Sequence, residues 1–202
     1  MKSIFLSASV PVPGRGDYYR TSDPFLIQTA VREFMTLCLG RRLVVWGGHP
    51  AITPMVWSVC EDLGVTFSDA VVLYQSEYFR GLFPDENAHF GNVIYTDAVD
   101  QDLQASLLEM RKQMLSGADL DTAVFIGGME GVLAEYDIFT SLHPEAKVLS
   151  IPSTGGAARE LAITLGKPEQ PLLDDVDFAS LFYTELGISA AEPRKQSANK
   201  EK

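Results

Sequence analysis

The run Val-Phe-Ile-Gly-Gly-Met-Glu-Gly-Val-Leu-Ala-Glu at 124–135 constrains the fold of this chain more than any other segment. Its first three residues read as a buried strand that ends in a Gly-Gly pair. A third glycine follows, and then an amphipathic helical pattern with a carboxylate one turn in. A strand that stops in glycines and restarts as a helix brings backbone N–H groups to the C-terminal edge of a sheet, where the helix macrodipole favours an anion. Phosphate is the usual occupant, and glycine lets it approach closely. Related junctions occur at Gly47-Gly48 and Gly155-Gly156. Three such junctions in one small domain read as a composite nucleotide pocket.

Apolar runs of strand length alternate with helical patterns along the chain. Strands are expected at Ser3–Ala8, Leu43–Trp46, Ala70–Tyr74, Asn92–Tyr95, Thr122–Ile126 and Lys147–Ile151. A helix opens at Pro24 and is ended by Gly40, with Ile27, Ala30, Val31, Phe34 and Cys38 recurring on one face. A second is capped by Thr53, with Pro54 in its first turn. A third spans Asp100–Ser116, and a last one Asp177–Leu186. Alternation of this kind implies crossover connections, so the fold class is α/β: a single doubly wound Rossmann-like domain with a mainly parallel sheet. Ligands in such folds bind beyond the carboxyl ends of the strands, near a topological switch point. The domain is expected over residues 1–187, and the Ala-, Lys- and Glu-rich stretch 188–202 as a disordered tail.

Composition removes several function classes. A formal charge of −11 argues against a nucleic-acid binder, which needs a basic face to displace counterions. A small anionic ligand remains possible, because a pocket can be locally positive. No apolar run reaches the roughly 18–20 residues that span a bilayer. The apolar stretch in Met1–Val10 is short and runs into Pro11 and Pro13, so it reads as a first strand rather than a signal peptide. Cys38 and Cys60 lack paired spacing, and His49, His89 and His143 are scattered. Neither a disulfide framework, a metal site nor a cofactor is expected, and a reducing cytoplasm fits best.

The candidate ligand-binding residues are those of the junctions: Gly47, Gly48 and His49; Gly127, Gly128, Met129, Glu130 and Gly131; Ser153, Thr154, Gly155 and Gly156. Ser7 and Ser9 follow the same logic at the first strand. Arg20, with Arg15 and Tyr19, sits in a glycine-containing loop at that edge. The glycines fail the G-x-G-x-x-G spacing, so NAD binding of the usual kind is not expected. From spacing alone, Glu135 reads as a solvated helix carboxylate and Arg111 as an exposed helix charge. Tyr78, Phe79, Phe83 and Phe90 could stack on a base or make a subunit contact, and the second reading, or simple loop packing, is slightly preferred.

Together these motifs resemble the SLOG superfamily, which includes the Lonely Guy phosphoribohydrolases and the DNA-processing Rossmannoid proteins. The carrying residues are Ser7-Ala8-Ser9, Val44-Val45-Trp46-Gly47-Gly48-His49, Met110-Arg111-Lys112-Gln113-Met114 and Gly127–Glu135. Within that superfamily the chain is similar to a bacterial group with Ser-Ala-Ser-Val-Pro, Gly-Gly-His-Pro and Gly-Gly-Met-Glu-Gly signatures, linked by genome context to nucleotide signalling and conflict systems. Lonely Guy enzymes split the N-glycosidic bond of a nucleoside 5′-monophosphate. The resemblance implies that Arg111 matches their substrate-orienting arginine and Glu135 their catalytic glutamate. It also implies a homodimer.

The chain departs from the enzymes' motif in three places. No proline precedes Gly127, Glu130 is inserted between the glycines, and Val132 stands where a threonine would bind phosphate. A carboxylate beside a phosphate cradle repels a monophosphate and could instead accept hydrogen bonds from a ribose or base. The expected function is therefore sensing of a nucleotide or nucleotide-derived ligand, such as an ADP-ribose-like one, without nucleic acid or membrane partners. The alternative is Lonely Guy-type N-glycosidase activity through Glu135 and Arg111. A non-catalytic interaction protein is the third reading.

Overall fold

The computed structural model describes residues 3–64, 70–117, 119–166 and 173–195. Six strands, β1 (Ser3–Ser9), β2 (Leu43–Trp46), β3 (Val71–Ser76), β4 (Val93–Thr96), β5 (Leu120–Gly127) and β6 (Lys147–Ile151), form one sheet in the order β4-β3-β2-β1-β5-β6. Every neighbouring pair is parallel. The chain winds outward from β1 to β4, crosses back, and winds outward again through β5 and β6. The switch point lies between β1 and β5, whose register runs to Ser9 beside Gly127.

Among the described residues six helices cover the sheet: α1 (Pro24–Cys38), α2 (Thr53–Leu63), α3 (Leu103–Ser116), α4 (Glu130–Leu142), α5 (Gly156–Thr164) and α6 (Phe178–Glu185). One face carries α1, α2 and α6, with Ile27, Phe34, Val56, Phe178 and Phe182 in its core. The other carries α3, α4 and α5, packed through Met114, Val132, Phe139 and Leu161 onto Phe5 and Phe125. The period of two along a strand divides β1 between them: Ile4 and Leu6 face the first layer, Phe5 the second. Residues buried on both faces explain why these strands read as continuous apolar runs.

Several boundaries differ from the sequence expectation for physical reasons. Asp102, not Asp100, caps α3, its carboxylate accepting the Ala105 N–H at 2.7 Å. Thr53 does not cap α2; its hydroxyl donates to the His49 carbonyl at 3.0 Å and ties the Gly47-Gly48 junction to the helix start. β3 runs on through Ser76, and the loop that follows it contains two short 3₁₀ segments, Glu77–Leu82 and Asp85–His89.

Part of the expected tail is also placed. Ile188 is buried in the core of the first layer. The Arg194 guanidinium donates to the carbonyls of Leu39 and Thr36 at the end of α1, and Lys195 N–H donates to Gly40 O at 2.7 Å. Arg41 donates back to the carbonyls of Glu192 and Ala190. The low apolar content of 188–195 hid a segment held by main-chain carbonyls at a helix C-terminus, where cations are favoured. Residues 196–202 lie outside the described residues. Among the described residues no helix is long and apolar enough to cross a membrane.

Candidate functional site

The alternation along β1 decides what its last residues meet. Ser7 shares the Phe5 face, so it points toward the layer of α3 and α4. There its hydroxyl donates to Glu135 Oε2 at 2.5 Å. The other oxygen, Oε1, accepts from Arg111 Nε at 3.3 Å. Ser7 is buried, and the Arg111 and Glu135 side chains are 13% and 15% exposed. A carboxylate this sheltered needs partners for both oxygens, and β1 and α3 each supply one. The solvated readings of Glu135 and Arg111 from spacing alone are corrected by this geometry.

The trio forms part of the wall of a cavity of about 560 Å³ at the carboxyl edge of the sheet. Ser9, Gly47, Gly48, His49, Met129, Glu130 and Gly131 also line it, together with Arg15. Glu130 and Gly131 are in the first turn of α4, whose leading N–H groups have no acceptor within the helix. Phe79, Leu82, Phe83 and Pro84 from the loop after β3, with Val12, Leu107 and Met110, give the cavity an apolar wall. Phe79 and Phe83 thus belong to the cavity. Phe90 instead packs in the core against Trp57, and Tyr78 stacks edge-on against Phe79.

Other candidates do not line this cavity. The Gly127 and Gly128 amides are not bare: Gly127 N–H donates to the Thr154 hydroxyl at 2.9 Å, and Gly128 N–H to Ser9 O at 2.9 Å. Thr154 is fully buried, and its hydroxyl donates onward to Ile151 O. Gly156 opens α5 directly against this turn, with Ala157 N–H donating to Gly128 O at 3.0 Å. At Gly155, with φ of 73°, a Cβ would overlap the Thr21 carbonyl oxygen. Gly127, Gly128, Thr154, Gly155 and Gly156 therefore form a lock between the ends of β5 and β6, and Ser153 lines a separate cavity beside β6. Arg20 lies on the surface, 3.3 Å from Asp17. The third junction resembles a phosphate loop in sequence because close backbone approach demands glycine whether the approaching group is a ligand or the protein itself.

Gly131 shows the same substitution of partner. A Cβ there would stand 2.8 Å from Arg111 Nη2, so the missing side chain admits a guanidinium of the protein. Gln75 was not anticipated. Its amide donates to Gly47 O at 2.7 Å and to Tyr74 O at 2.9 Å, fixing the second junction from β3. The available signal was its position at the carboxyl end of a strand that reaches the same edge.

His49 is held below its ordinary pKa of 6.5, first by burial and then by the charge of Arg15. Its Nδ1 accepts the Ala51 N–H at 3.2 Å, which leaves the proton of the neutral ring on Nε2. No cluster of three or more His, Cys, Asp or Glu suited to a metal ion occurs among the described residues.

A doubly wound sheet with glycine junctions at its carboxyl edge and a serine–glutamate–arginine trio at the switch point defines a SLOG-type Rossmannoid domain. The family model of the SLOG cluster3 family matches residues 17–186, and the chain belongs to that family. The crystal structure of TM1055, a Northeast Structural Genomics Consortium target, shares the fold with a TM-score of 0.50 and 17% identity, over 91% of this chain and 99% of that one. No curated protein matches the sequence.

Two outcomes follow from this geometry. Gly131→Ala should displace the flexible end of Arg111 from Glu135 and so lower the Arg111–Glu135 coupling energy of a double-mutant cycle read by urea denaturation. An unchanged coupling energy would mean the guanidinium does not need that space. For His49, the depressed folded-state pKa makes its contribution to stability complete above pH 6.5 and progressively lost as pH falls from there through the folded value. His49→Gln should remove that part of the stability–pH slope, measured by denaturation from pH 7.5 to 5. Superimposable slopes for the two proteins would contradict the burial argument.

Proposed function

We propose that the cavity binds a nucleotide or nucleotide-derived ligand, with an ADP-ribose-like molecule in scope, and that the protein works as a sensor in bacterial signalling or defence. Membership of the SLOG family supports a nucleotide-related role. The observation that carries the reading is the Ser7–Glu135–Arg111 trio in the wall of a 560 Å³ cavity. A carboxylate fixed by a hydroxyl and a guanidinium, beside an apolar wall, suits a molecule with a hydroxyl-rich sugar and a flat base. Saturating ligand should raise the melting temperature, since occupancy at about a hundred times Kd stabilises a fold by roughly 2.7 kcal/mol. Glu135→Gln should abolish most of that shift. A panel of nucleosides, nucleotides and ADP-ribose that shifts neither protein would contradict the proposal.

The same trio favours a second reading, N-glycosidic cleavage. Here the bond from C1′ to the base nitrogen breaks with its electron pair leaving on the base. Glu135 stabilises the positive charge on the ribose, water adds at C1′, and the proton that water loses ends on the departing base nitrogen. Incubation with nucleoside 5′-monophosphates separates the readings: free base and ribose 5-phosphate, lost in Glu135→Gln, would establish cleavage, and intact nucleotide supports binding alone.

A further inference from the structure

Gln75, one residue before the end of β3, lines the cavity. Its Nε2 donates to Gly47 O at 2.7 Å and to Tyr74 O at 2.9 Å. A carbonyl oxygen only accepts, so two carbonyls at one end of a side-chain amide fix which end is the NH2. Turned over, the amide would set its own oxygen against both. Gly48 makes room for it: a Cβ there would overlap Nε2, so the amide lies in the space that a side chain at 48 would take.

These two bonds spend both N–H groups and leave Oε1. Among the described residues nothing donates to Oε1, and the atom is open to solvent rather than sealed. The half-buried Gln75 therefore gives the cavity wall an acceptor whose direction is set by the backbone. The segment that follows β3 carries Phe79 and Phe83, the aromatic part of the same wall. A flat ring packed on such side chains keeps its edge free for hydrogen bonds in its own plane.

We infer that Gln75 is a specificity residue of the cavity: its Oε1 accepts an N–H from the ligand's heterocycle, and the site takes a base that carries an amino group at its edge. The fixed orientation gives the contact its selectivity. A freely turning amide would offer its NH2 to an acceptor-bearing edge equally well, whereas this one answers donors alone. An amino group brings only donors to it, while a lactam edge sets a carbonyl oxygen beside its N–H. This role of Gln75 rests on the nucleotide reading above and names the group that reads the base. A sugar hydroxyl could also donate to Oε1, so the probes must share one sugar and differ in the base.

The test is calorimetric titration of adenosine and purine riboside, which differ only in the 6-amino group, into the wild-type protein and Gln75→Met. The wild type should bind adenosine about threefold to tenfold more tightly, the worth of one hydrogen bond. Gln75→Met keeps the length of the side chain without its amide and should bring that ratio to about one, whatever it does to each affinity. A merely structural Gln75 would weaken both nucleosides alike and leave the ratio unchanged. Circular dichroism checks the fold; if Gln75→Met does not fold, Gly48→Ala, which displaces the amide, reads the same loss of ratio. Equal affinities in the wild type, or a ratio that survives the substitution, would overturn the role of Gln75 and leave the nucleotide reading standing. If neither nucleoside binds the wild type, the role of Gln75 is overturned, and the nucleotide panel above decides separately whether the reading beneath it falls too.

Discussion

The Glu135 carboxyl group sits in a place only 15% open to solvent, and the neighbouring architecture is arranged around that fact. Leaving either oxygen without a partner would incur the desolvation cost of a charge. Ser7 reaches one oxygen because β1 alternates and the strand ends on that face. Arg111 reaches the other because α3 crosses the sheet between β4 and β5 and packs beside α4. The guanidinium lies in the space that a side chain at residue 131 would occupy. Three separate elements thus converge on one carboxylate at the point where the winding of the sheet reverses. That convergence makes a polar corner in the cavity beside its apolar wall.

A second set of constraints ties the strand ends together. Beyond Ser9 and Gly127 the chain leaves β1 and β5 toward opposite faces of the sheet. The opening is framed by hydrogen bonds from Gly128 to Ser9, from Gly127 to Thr154 and from Ala157 to Gly128. These bonds use the amides that a phosphate loop would have left for its ligand. The edge is consequently stiff near β5 and β6 and available near β2. There, Gln75 and Thr53 hold the backbone of the Gly47–His49 turn from either side.

Much of the fold could be read from the sequence because burial on both faces writes itself as short apolar runs. Lys147–Ile151 and Leu43–Trp46 have the expected limits, and the parallel, doubly wound arrangement follows from helical segments between strands. The glycine junctions lie at one edge of the sheet, and Ser7, His49, Glu130 and Glu135 line one cavity there. What one sequence does not encode is who fills the space a glycine leaves. At Gly131 it is Arg111, and at Gly155 it is the Thr21 backbone, both brought from distant positions by tertiary packing. The placed segment 188–195 was hidden for a related reason: its anchors are carbonyls of α1, and a main-chain acceptor carries no residue identity. Phe79 and Phe83 were ambiguous because an aromatic side chain on a loop looks the same whether it faces a cavity or a neighbouring surface.

The most direct test of the central claim, that the pocket around Glu135 holds a nucleotide-type ligand, is native mass spectrometry of the purified protein followed by identification of whatever heat releases from it. The account predicts an intact nucleotide-class molecule that leaves on denaturation and is absent from Glu135→Gln prepared in the same way. Retention of the same molecule by Glu135→Gln, or a wild-type protein that carries none and takes up none from a nucleotide mixture, would contradict it.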